Sequence, residues 1–238
     1  PQLRLMGSMI ANQHLCKVFR RMFSLMSTRL LITAGATCEP IDAVRYIGNR
    51  SSGILGCQLA LAGAIGSYET TLLLAQGSRT PTSHPRMSYQ YFTTTRDLDA
   101  KLSQHWPSHS VLIMAAAVAD FTPRGGSVDK KIARQSGITL DLVPTHDLVK
   151  KASKVARDDQ RIIAFALGSP ESLEEEARLK LVNKGVDAIV ANPLKTMDAN
   201  KITATVYCKG GKQFCPPPNI SKPAFASWFI ENLEEICQ

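Results

Sequence analysis

Short runs rich in β-branched and aromatic residues alternate along this chain with longer segments in which apolar residues recur every three or four positions. The short runs predict strands at residues 30–33, 70–74, 89–92, 111–114, 162–166 and 188–191. The longer segments predict helices after Gly53, at residues 95–103, 146–156 and 172–184, and from about Ser221. Strands that alternate with helices are typical of α/β proteins. We therefore expect a Rossmann-like, mostly parallel sheet with helices on both faces.

Two further segments, residues 138–143 and 201–208, alternate apolar with polar residues as half-exposed strands do. We expect them to form a small accessory β element that is used in dimerisation. Residues 121–137 form a long polar connection, and long loops inside compact domains tend to be functional or disordered. We expect a single domain over residues 29–238, preceded by a disordered or non-native N-terminal extension at residues 1–28.

Composition and charge narrow the class of protein. The 238 residues are 44% hydrophobic and 20% charged, which is typical of a globular protein that needs no disulfide or structural metal. No uninterrupted apolar run approaches the roughly 20 residues that span a bilayer, so we expect no membrane association. The net charge of +8 is concentrated in residues 1–29, which hold five Arg or Lys and no acidic residue. An expression remnant or an Arg-rich address segment would explain this tail. The rest of the chain is mildly basic, and we expect no nucleic-acid partner.

Six cysteines are scattered along the chain without a Cys-x-x-Cys pair and without a histidine at zinc-finger spacing. This scatter disfavours both a zinc site and a disulfide scaffold. Reduced thiols are typical of the cytoplasm, where we expect the protein to be located.

Candidate binding residues begin after the first predicted strand, because ligands of open parallel sheets bind beyond the carboxyl ends of the strands. The turn at residues 33–37 contains Gly35 but no Gly-x-Gly-x-x-Gly fingerprint, which disfavours a nicotinamide-dependent reductase. Residues 48–53 have the glycine spacing of a P-loop, yet Ile54 and Leu55 stand where Lys and Ser or Thr belong.

The residues just before the predicted first helix are candidates for phosphate binding. The hydroxyls of Ser51 and Ser52, together with free amides around Gly53, can hold phosphate oxygens, although an ordinary serine N-cap explains the same pattern. Arg45 and Asn49 precede this turn, where they could orient an acyl group and neutralise its charge, or lie in a solvated loop.

A buried strand ends in small side chains, including Ala116 and Ala117, followed by Asp120. Small side chains let a ligand approach the backbone, and a carboxylate at this edge can hold a ribose or, through water, Mg²⁺. Core packing with Asp120 as a helix cap is the alternative.

Three lysines are further candidates. Lys131 lies in the long polar loop, where a mobile ammonium group could close over a triphosphate, although most loop lysines are merely solvated. Lys180 and Lys184 share one face of a predicted helix, and Glu176 could pair with Lys180 on the surface.

Together these segments resemble one family, the phosphopantothenate–cysteine ligases of coenzyme A biosynthesis. The resemblance runs from about Arg29 to the C-terminus, and the motifs occur in the family's order. They are residues 33–47 (Thr-Ala-Gly-Ala-Thr-Cys-Glu-Pro-Ile-Asp-Ala-Val-Arg-Tyr-Ile), 49–53 (Asn-Arg-Ser-Ser-Gly), 116–121 (Ala-Ala-Val-Ala-Asp-Phe), 131–132 (Lys-Ile) and 184–192 (Lys-Gly-Val-Asp-Ala-Ile-Val-Ala-Asn).

The resemblance implies a homodimer of Rossmann-like subunits that uses CTP with Mg²⁺, with ATP as the alternative nucleotide, to activate the carboxylate of 4′-phosphopantothenate. The amine of L-cysteine then attacks the acyl-cytidylate to give 4′-phosphopantothenoylcysteine. Bacterial members are often fused behind a flavin-dependent phosphopantothenoylcysteine decarboxylase, which is the expected functional partner. No flavin is expected in this chain, which would be a stand-alone ligase or one half of a bifunctional protein.

By position, Lys131 resembles the lysine needed for cytidylate formation, and Asn49 resembles the asparagine needed for attack by cysteine. Arg45 and Ala117 also match residues implicated in the second step. The resemblance implies a nucleotide site made of Gly35, Ser51, Ser52, Gly53, Ala116, Ala117, Asp120, Phe121, Asp147, Phe165, Lys180 and Lys184, with Asp120 also at the metal. It implies a substrate site made of Arg45, Asn49, Ala117 and Asn192.

The chain departs from the family's pattern at several positions. The departures are Cys38 for Arg, Gly48 for Ser, Ile54 for Lys, Ala133 for a second Lys, His146 for Pro, Leu167 and Gly168 in a Phe-Ala-Ala-Glu-Thr pattern, and Pro193 for Asp. They leave open a second hypothesis, a catalytically weakened family member that acts as a binding or regulatory subunit.

Overall fold

The computed structural model describes residues 28–134, 138–196 and 199–238. The strands in these ranges are β1 (Arg29–Ala34), β2 (Cys38–Pro40), β3 (Tyr46–Gly48), β4 (Glu69–Ala75), β5 (Met87–Phe92), β6 (Val111–Met114), β7 (Phe121–Pro123), β8 (Leu142–Pro144), β9 (Arg161–Gly168), β10 (Ala188–Pro193), β11 (Lys201–Ile202), β12 (Thr205–Cys208), β13 (Gln213–Phe214) and β14 (Ile220–Ser221). The α-helices are α1 (Ile54–Ile65), α2 (Thr95–His105), α3 (Leu148–Lys154), α4 (Leu173–Lys184), α5 (Lys222–Glu231) and α6 (Leu233–Ile236).

Eight strands form one sheet in the order β13-β12-β10-β9-β6-β1-β4-β5. The six strands from β10 to β5 are parallel, and β12 runs antiparallel to both of its neighbours. In chain order, β1, β4 and β5 extend the sheet to one side, and β6, β9 and β10 extend it to the other. The strand order therefore reverses between β1 and β6, as in doubly wound folds. The predicted fold class is confirmed.

Hydrophobic clusters cover both faces of the sheet. Leu30 and Ile32 of β1 face the cluster that contains Phe225 and Phe229 of α5. Leu31, which points to the other face, packs in the cluster formed with α2, α3 and α4. Burial on both faces explains why the central strands are continuous apolar runs. In the described ranges, no helix combines the length and hydrophobicity needed to cross a bilayer.

Two predicted strands differ in the structure. The prediction of one half-exposed strand at residues 201–208 is wrong, because the segment divides into β11 and β12, and β12 extends the main sheet with both faces covered. In the segment at residues 138–143, only the end is part of a strand, β8. This strand pairs with β7, which forms the first three residues of the predicted long connection at residues 121–137. The small β elements beside the main sheet are the β7–β8 pair, the β2–β3 hairpin and the β11–β14 pair.

The close approach of α1 to β1 depends on Gly56. A Cβ atom at this position would lie 2.5 Å from Cβ of Ala34 and 3.0 Å from the carbonyl oxygen of Thr33. We expect Gly56→Ala to lower the free energy of unfolding by about 1–3 kcal/mol, because the helix must move away from the strand. Urea denaturation measures this change. Gly210→Ala is the control, since an added Cβ there meets no atom within 4 Å. Equal effects of the two substitutions would contradict the packing argument.

Candidate active site

A cavity of about 700 Å³ lies at the carboxyl ends of β6, β9 and β10, on one side of the point where the strand order reverses. Its wall combines the turn before α1, the segment after β6, the start of α3 and one face of α4. The structure brings most of the predicted site residues to this wall: Asn49, Ser51, Ser52, Gly53, Ala116, Ala117, Asp120, Phe121, Asp147, Phe165, Lys180, Lys184 and Asn192.

The turn before α1 presents backbone amides to the cavity. Gly53 occupies the N-cap position in the left-handed region, with φ of 72°, and no side chain caps the helix. The interpretation of Ser51 or Ser52 as an ordinary N-cap is therefore wrong. The first turn contains no acidic residue, so the positive end of the helix dipole remains available to an anion.

Gly35 is a supporting residue of this turn and is not among the residues that line the cavity. A Cβ atom on Gly53 would lie 3.2 Å from the Gly35 nitrogen, so the two glycine backbones pack directly against each other. Gly35 itself has a φ of 87°, and a Cβ atom there would collide with Ala75 and Ser78. The glycine therefore allows the strand–helix turn to close.

Two buried threonines hold residues 116–119, the alanine segment of the cavity wall. The hydroxyl oxygen of Thr33 accepts a hydrogen bond from the Ala116 amide at 3.1 Å, and that of Thr37 accepts one from the Ala119 amide at 2.8 Å. Both threonines are fully buried. Sequence reasoning missed this role, although a threonine inside an otherwise apolar strand is a signal of a buried hydrogen bond.

Asn49 and Asp120 both lie near the C-terminal end of this segment. The Asn49 side-chain amide donates to the Val118 carbonyl at 2.9 Å. The Asp120 carbonyl accepts from the Thr145 amide at 2.9 Å, and the Asp120 side chain is exposed at the cavity wall. The cavity thus has an amide group and a carboxylate near the uncapped helix terminus.

Asp147 and Lys184 form an ion pair across the cavity wall. One Asp147 carboxylate oxygen accepts from the Lys150 amide at 3.0 Å, which caps α3, and the other contacts the Lys184 ammonium at 2.5 Å. Burial alone would raise the pKa of Asp147, but the Lys150 amide and the Lys184 ammonium outweigh burial and lower the pKa below its usual value. Lys180 is 3.8 Å from Glu176, so the expected surface pair also forms.

Asn192 and Lys222 also line the cavity. The buried Asn192 amide donates to Thr196 at 2.8 Å. Lys222, at the start of α5, is 8% exposed and also lines the cavity. Sequence reasoning missed Lys222, because a lysine at the start of a helix usually lies in solvent.

Arg45 and Lys131 lie outside the cavity wall. The Arg45 guanidinium pairs with Asp42 and donates to the carbonyl of Ile132, the residue that follows Lys131. Ile132 is therefore bonded to the turn that leads into Asn49. This bond holds the backbone next to Lys131, whose side chain is exposed. The structure brings Asn49 and Asp120 together and places Lys131 on the neighbouring loop.

Asp120 places an exposed carboxylate, a group that Mg²⁺ accepts as a ligand, at the cavity wall. No group of three or more His, Cys, Asp or Glu that could hold a metal ion occurs in the part of the chain that the structure describes. Mg²⁺ bound with a nucleotide needs no such cage, because phosphates and water supply most of its ligands and one or two carboxylates complete the set. The exposed Asp120 carboxylate, which lines the same cavity as the turn before α1, meets this requirement.

The chain is similar to known proteins over most of its length. Residues 25–236 match the family model described as DNA/pantothenate metabolism flavoprotein C-terminal domain. A prokaryotic cysteine/cysteine sulfinic acid decarboxylase is 38% identical over 172 residues, which are 72% of this chain and 47% of the relative. The coenzyme A biosynthesis bifunctional protein CoaBC of Vibrio cholerae is 31% identical over 227 residues, or 92% of this chain and 55% of the relative.

Among solved structures, the crystal structure of a C-terminal domain of CoaBC is similar, with a TM-score of 0.74 and 28% identity. The match covers 89% of this chain and 96% of that domain. The chain spans about half the length of the curated relatives, and nearly all of this isolated domain.

Proposed function

Because this chain belongs to the family of DNA/pantothenate metabolism flavoprotein C-terminal domains, we propose that it joins 4′-phosphopantothenate to L-cysteine with the use of CTP. One observation carries the proposal: a single cavity combines an uncapped helix N-terminus with an amide, a carboxylate and two lysines, namely Asn49, Asp120, Lys180 and Lys184. This set suits a triphosphate that must react with a carboxylate.

The first step activates the acid. A carboxylate oxygen of 4′-phosphopantothenate attacks the α-phosphorus of CTP, the bond to the β-phosphate oxygen breaks, and pyrophosphate leaves. The amides at the start of α1 and the ammonium groups of α4 stabilise phosphate charge, and Lys131 offsets the charge that develops on the leaving group. Mg²⁺ held by Asp120 would neutralise further phosphate charge.

The second step forms the amide. The amine of L-cysteine attacks the acyl carbon, the bond to the phosphate oxygen breaks, CMP leaves, and the amine loses a proton. Asn49 and the backbone around Ala117 orient the acyl group for this attack, and Asn192 contributes to the substrate site. The product is 4′-phosphopantothenoylcysteine.

A nucleotide-dependence assay tests the proposal. Pyrophosphate release is measured with CTP or ATP in the presence of 4′-phosphopantothenate, with and without L-cysteine. We expect release with CTP in the absence of cysteine, and amide formation only when cysteine is added. If pyrophosphate release is faster with ATP than with CTP, ATP is the co-substrate. No release with either nucleotide, despite binding of 4′-phosphopantothenate, would favour the weakened family member with a binding role.

We further propose that the protein is a homodimer formed through the small β elements. Exposed apolar side chains are concentrated on the β2–β3 hairpin, the β7–β8 pair and the segments beside them: Val44, Tyr46, Phe121, Val128, Ile138, Leu140 and Leu142. An apolar patch of this kind marks a protein interface.

A phosphopantothenoylcysteine decarboxylase, which would consume the product, is the proposed functional partner, since CoaBC is bifunctional.

We expect Tyr46→Glu to convert the dimer to a monomer, because the added charge would be buried against an apolar surface. Size-exclusion chromatography with light scattering measures the change in mass. Leu179→Glu is the matched control, since Leu179 on α4 is 60% exposed and Tyr46 is 63% exposed. A dimer that persists in Tyr46→Glu and dissociates in Leu179→Glu would place the interface on α4.

A further inference from the structure

Asp42 is a buried carboxylate at the turn of the β2–β3 hairpin. Its side chain has no exposed surface, and the residue is 4% exposed in total. A carboxylate at this depth must be paired and hydrogen-bonded to remain ionised. Five N–H donors satisfy it: the amides of Val44 at 2.8 Å, Arg45 at 2.7 Å and Ile132 at 3.0 Å, and two guanidinium nitrogens of Arg45 at 3.0 and 2.6 Å.

The bond to Ile132 crosses 90 residues of sequence, and it is one of a pair. The Ile132 amide donates to Asp42, while the Ile132 carbonyl accepts from Nη2 of Arg45 at 2.7 Å. Both polar groups of the Ile132 backbone are thus held by the same ion pair. We call these two residues, Asp42 and Arg45, the Asp–Arg clip.

A second attachment lies four residues earlier in the loop. The Val128 amide donates to the Ile41 carbonyl at 3.2 Å, and Val128 forms an isolated parallel bridge with Asp42. Residues 129–131 are the short arc between the two attachments, and Lys131 directly precedes the clipped Ile132. The position of the lysine backbone therefore depends on the clip, while its side chain remains exposed.

We propose that Asp42 is a positioning residue of the ligase reaction, which acts by holding Lys131 where its ammonium group reaches the leaving pyrophosphate. This inference rests on the proposed function. It gives Arg45 a role in the first step through Ile132, in addition to the second-step role that its position in the family motif implies. Asp42→Asn keeps the shape of the side chain, but it removes the charge that pairs with Arg45 and presents an N–H group to donors.

Trypsin provides a readout that is independent of activity. It cleaves after Lys130, Lys131 and Arg134. The turn at Lys209–Lys212, which joins β12 and β13 at one edge of the sheet, is an internal reference. We expect Asp42→Asn to accelerate cleavage in the loop relative to the reference turn, as followed by intact mass. If the ratio of loop cleavage to reference cleavage is the same in Asp42→Asn and in the wild type, the clip does not hold the loop.

Kinetics test whether the clip acts through Lys131. We expect Asp42→Asn to lower kcat for pyrophosphate release by about 10²-fold with a smaller change in KM for the nucleotide, since misplacing a catalytic group by about 1 Å costs this much. In a Lys131→Gln background, the same substitution should change the rate less than about twofold, because groups that act as a unit are not additive. Equal effects in both backgrounds would overturn the proposal.

Two controls keep the test decisive. Asp159→Asn also breaks an Arg–Asp pair, with Arg157, but Asp159 is 72% exposed, and this variant should match the wild type in both assays. If Asp42→Asn fails to fold, Arg45→Lys removes the guanidinium fork and leaves the buried carboxylate, and the same two results are expected of it. If the wild type releases no pyrophosphate, the proposed function fails, and trypsin cleavage alone decides whether the clip holds the loop.

Discussion

Lys131→Gln is expected to lower the rate of pyrophosphate release by about 10³-fold, the effect of removing a charged group that stabilises a transition state. The leaving pyrophosphate gains negative charge as its bond to the α-phosphorus breaks, and an ammonium group offsets that charge. Glutamine retains N–H donors on a side chain one atom shorter, so the substitution tests chiefly the loss of charge. The chain has Ala133 where the family has a second lysine, which leaves fewer cations to compensate. A coupled assay for pyrophosphate, without L-cysteine, measures this step alone.

Lys130→Gln is the matched control for this prediction. Lys130 is adjacent in sequence, is also exposed, and carries the same charge, but Ile132 fixes Lys131 more directly. We expect a change of less than about threefold in Lys130→Gln, in the range of a screened surface charge. A larger loss in Lys130→Gln than in Lys131→Gln would transfer the role to Lys130.

The sheet could be predicted because its central strands are buried on both faces. Residues 30–32 and 111–114 are uniformly apolar for that reason, and the helices between them show the spacing of one buried face. The family resemblance, which short motifs in the right order carried, is confirmed by the match over residues 25–236.

The error at β12 has a physical cause in tertiary packing. Thr205 and Tyr207 made this segment look exposed on one face, which predicted an accessory strand. In the structure, Tyr207 is 6% exposed, because α4 covers it and the Arg178 guanidinium lies 5.1 Å from its ring centroid. A tyrosine has enough apolar surface to be buried, and periodicity alone does not show which helix covers it.

The wall of the candidate site was predicted better than its supports. The residues proposed to have direct chemical roles have side chains whose chemistry points to a ligand. The supporting roles of Thr37 and Asp42, which lie in the motif at residues 33–47, depend on contacts with residues far away in the sequence. The Thr37 hydroxyl, for example, accepts from Ala119, which is 82 residues away. Such contacts appear only when the strands are aligned in the fold. The placement of Lys131 beside the Asp–Arg clip also depends on such a contact, the bond between Asp42 and Ile132.

The Asn49 amide is the group on which the second step is expected to depend. Its nitrogen donates to the Val118 carbonyl at 2.9 Å, which fixes the side chain against the alanine segment. An aspartate at this position has no N–H group to donate, so two oxygens would face each other across this contact. It would also add negative charge to a cavity that is proposed to bind phosphates. Both effects disturb the orientation of the acyl group rather than the departure of pyrophosphate.

We therefore expect Asn49→Asp to change pyrophosphate release by less than about threefold and to lower the rate of amide formation by about 10²-fold, the cost of a misplaced acyl group. The acyl-nucleotide should accumulate, and rapid quenching with mass spectrometry would detect it. Hydroxylamine serves as the control, because this stronger nucleophile should convert the accumulated intermediate to a hydroxamate. Loss of pyrophosphate release to the same extent as amide formation would contradict the division of roles, since Asn49 would then act before the intermediate exists.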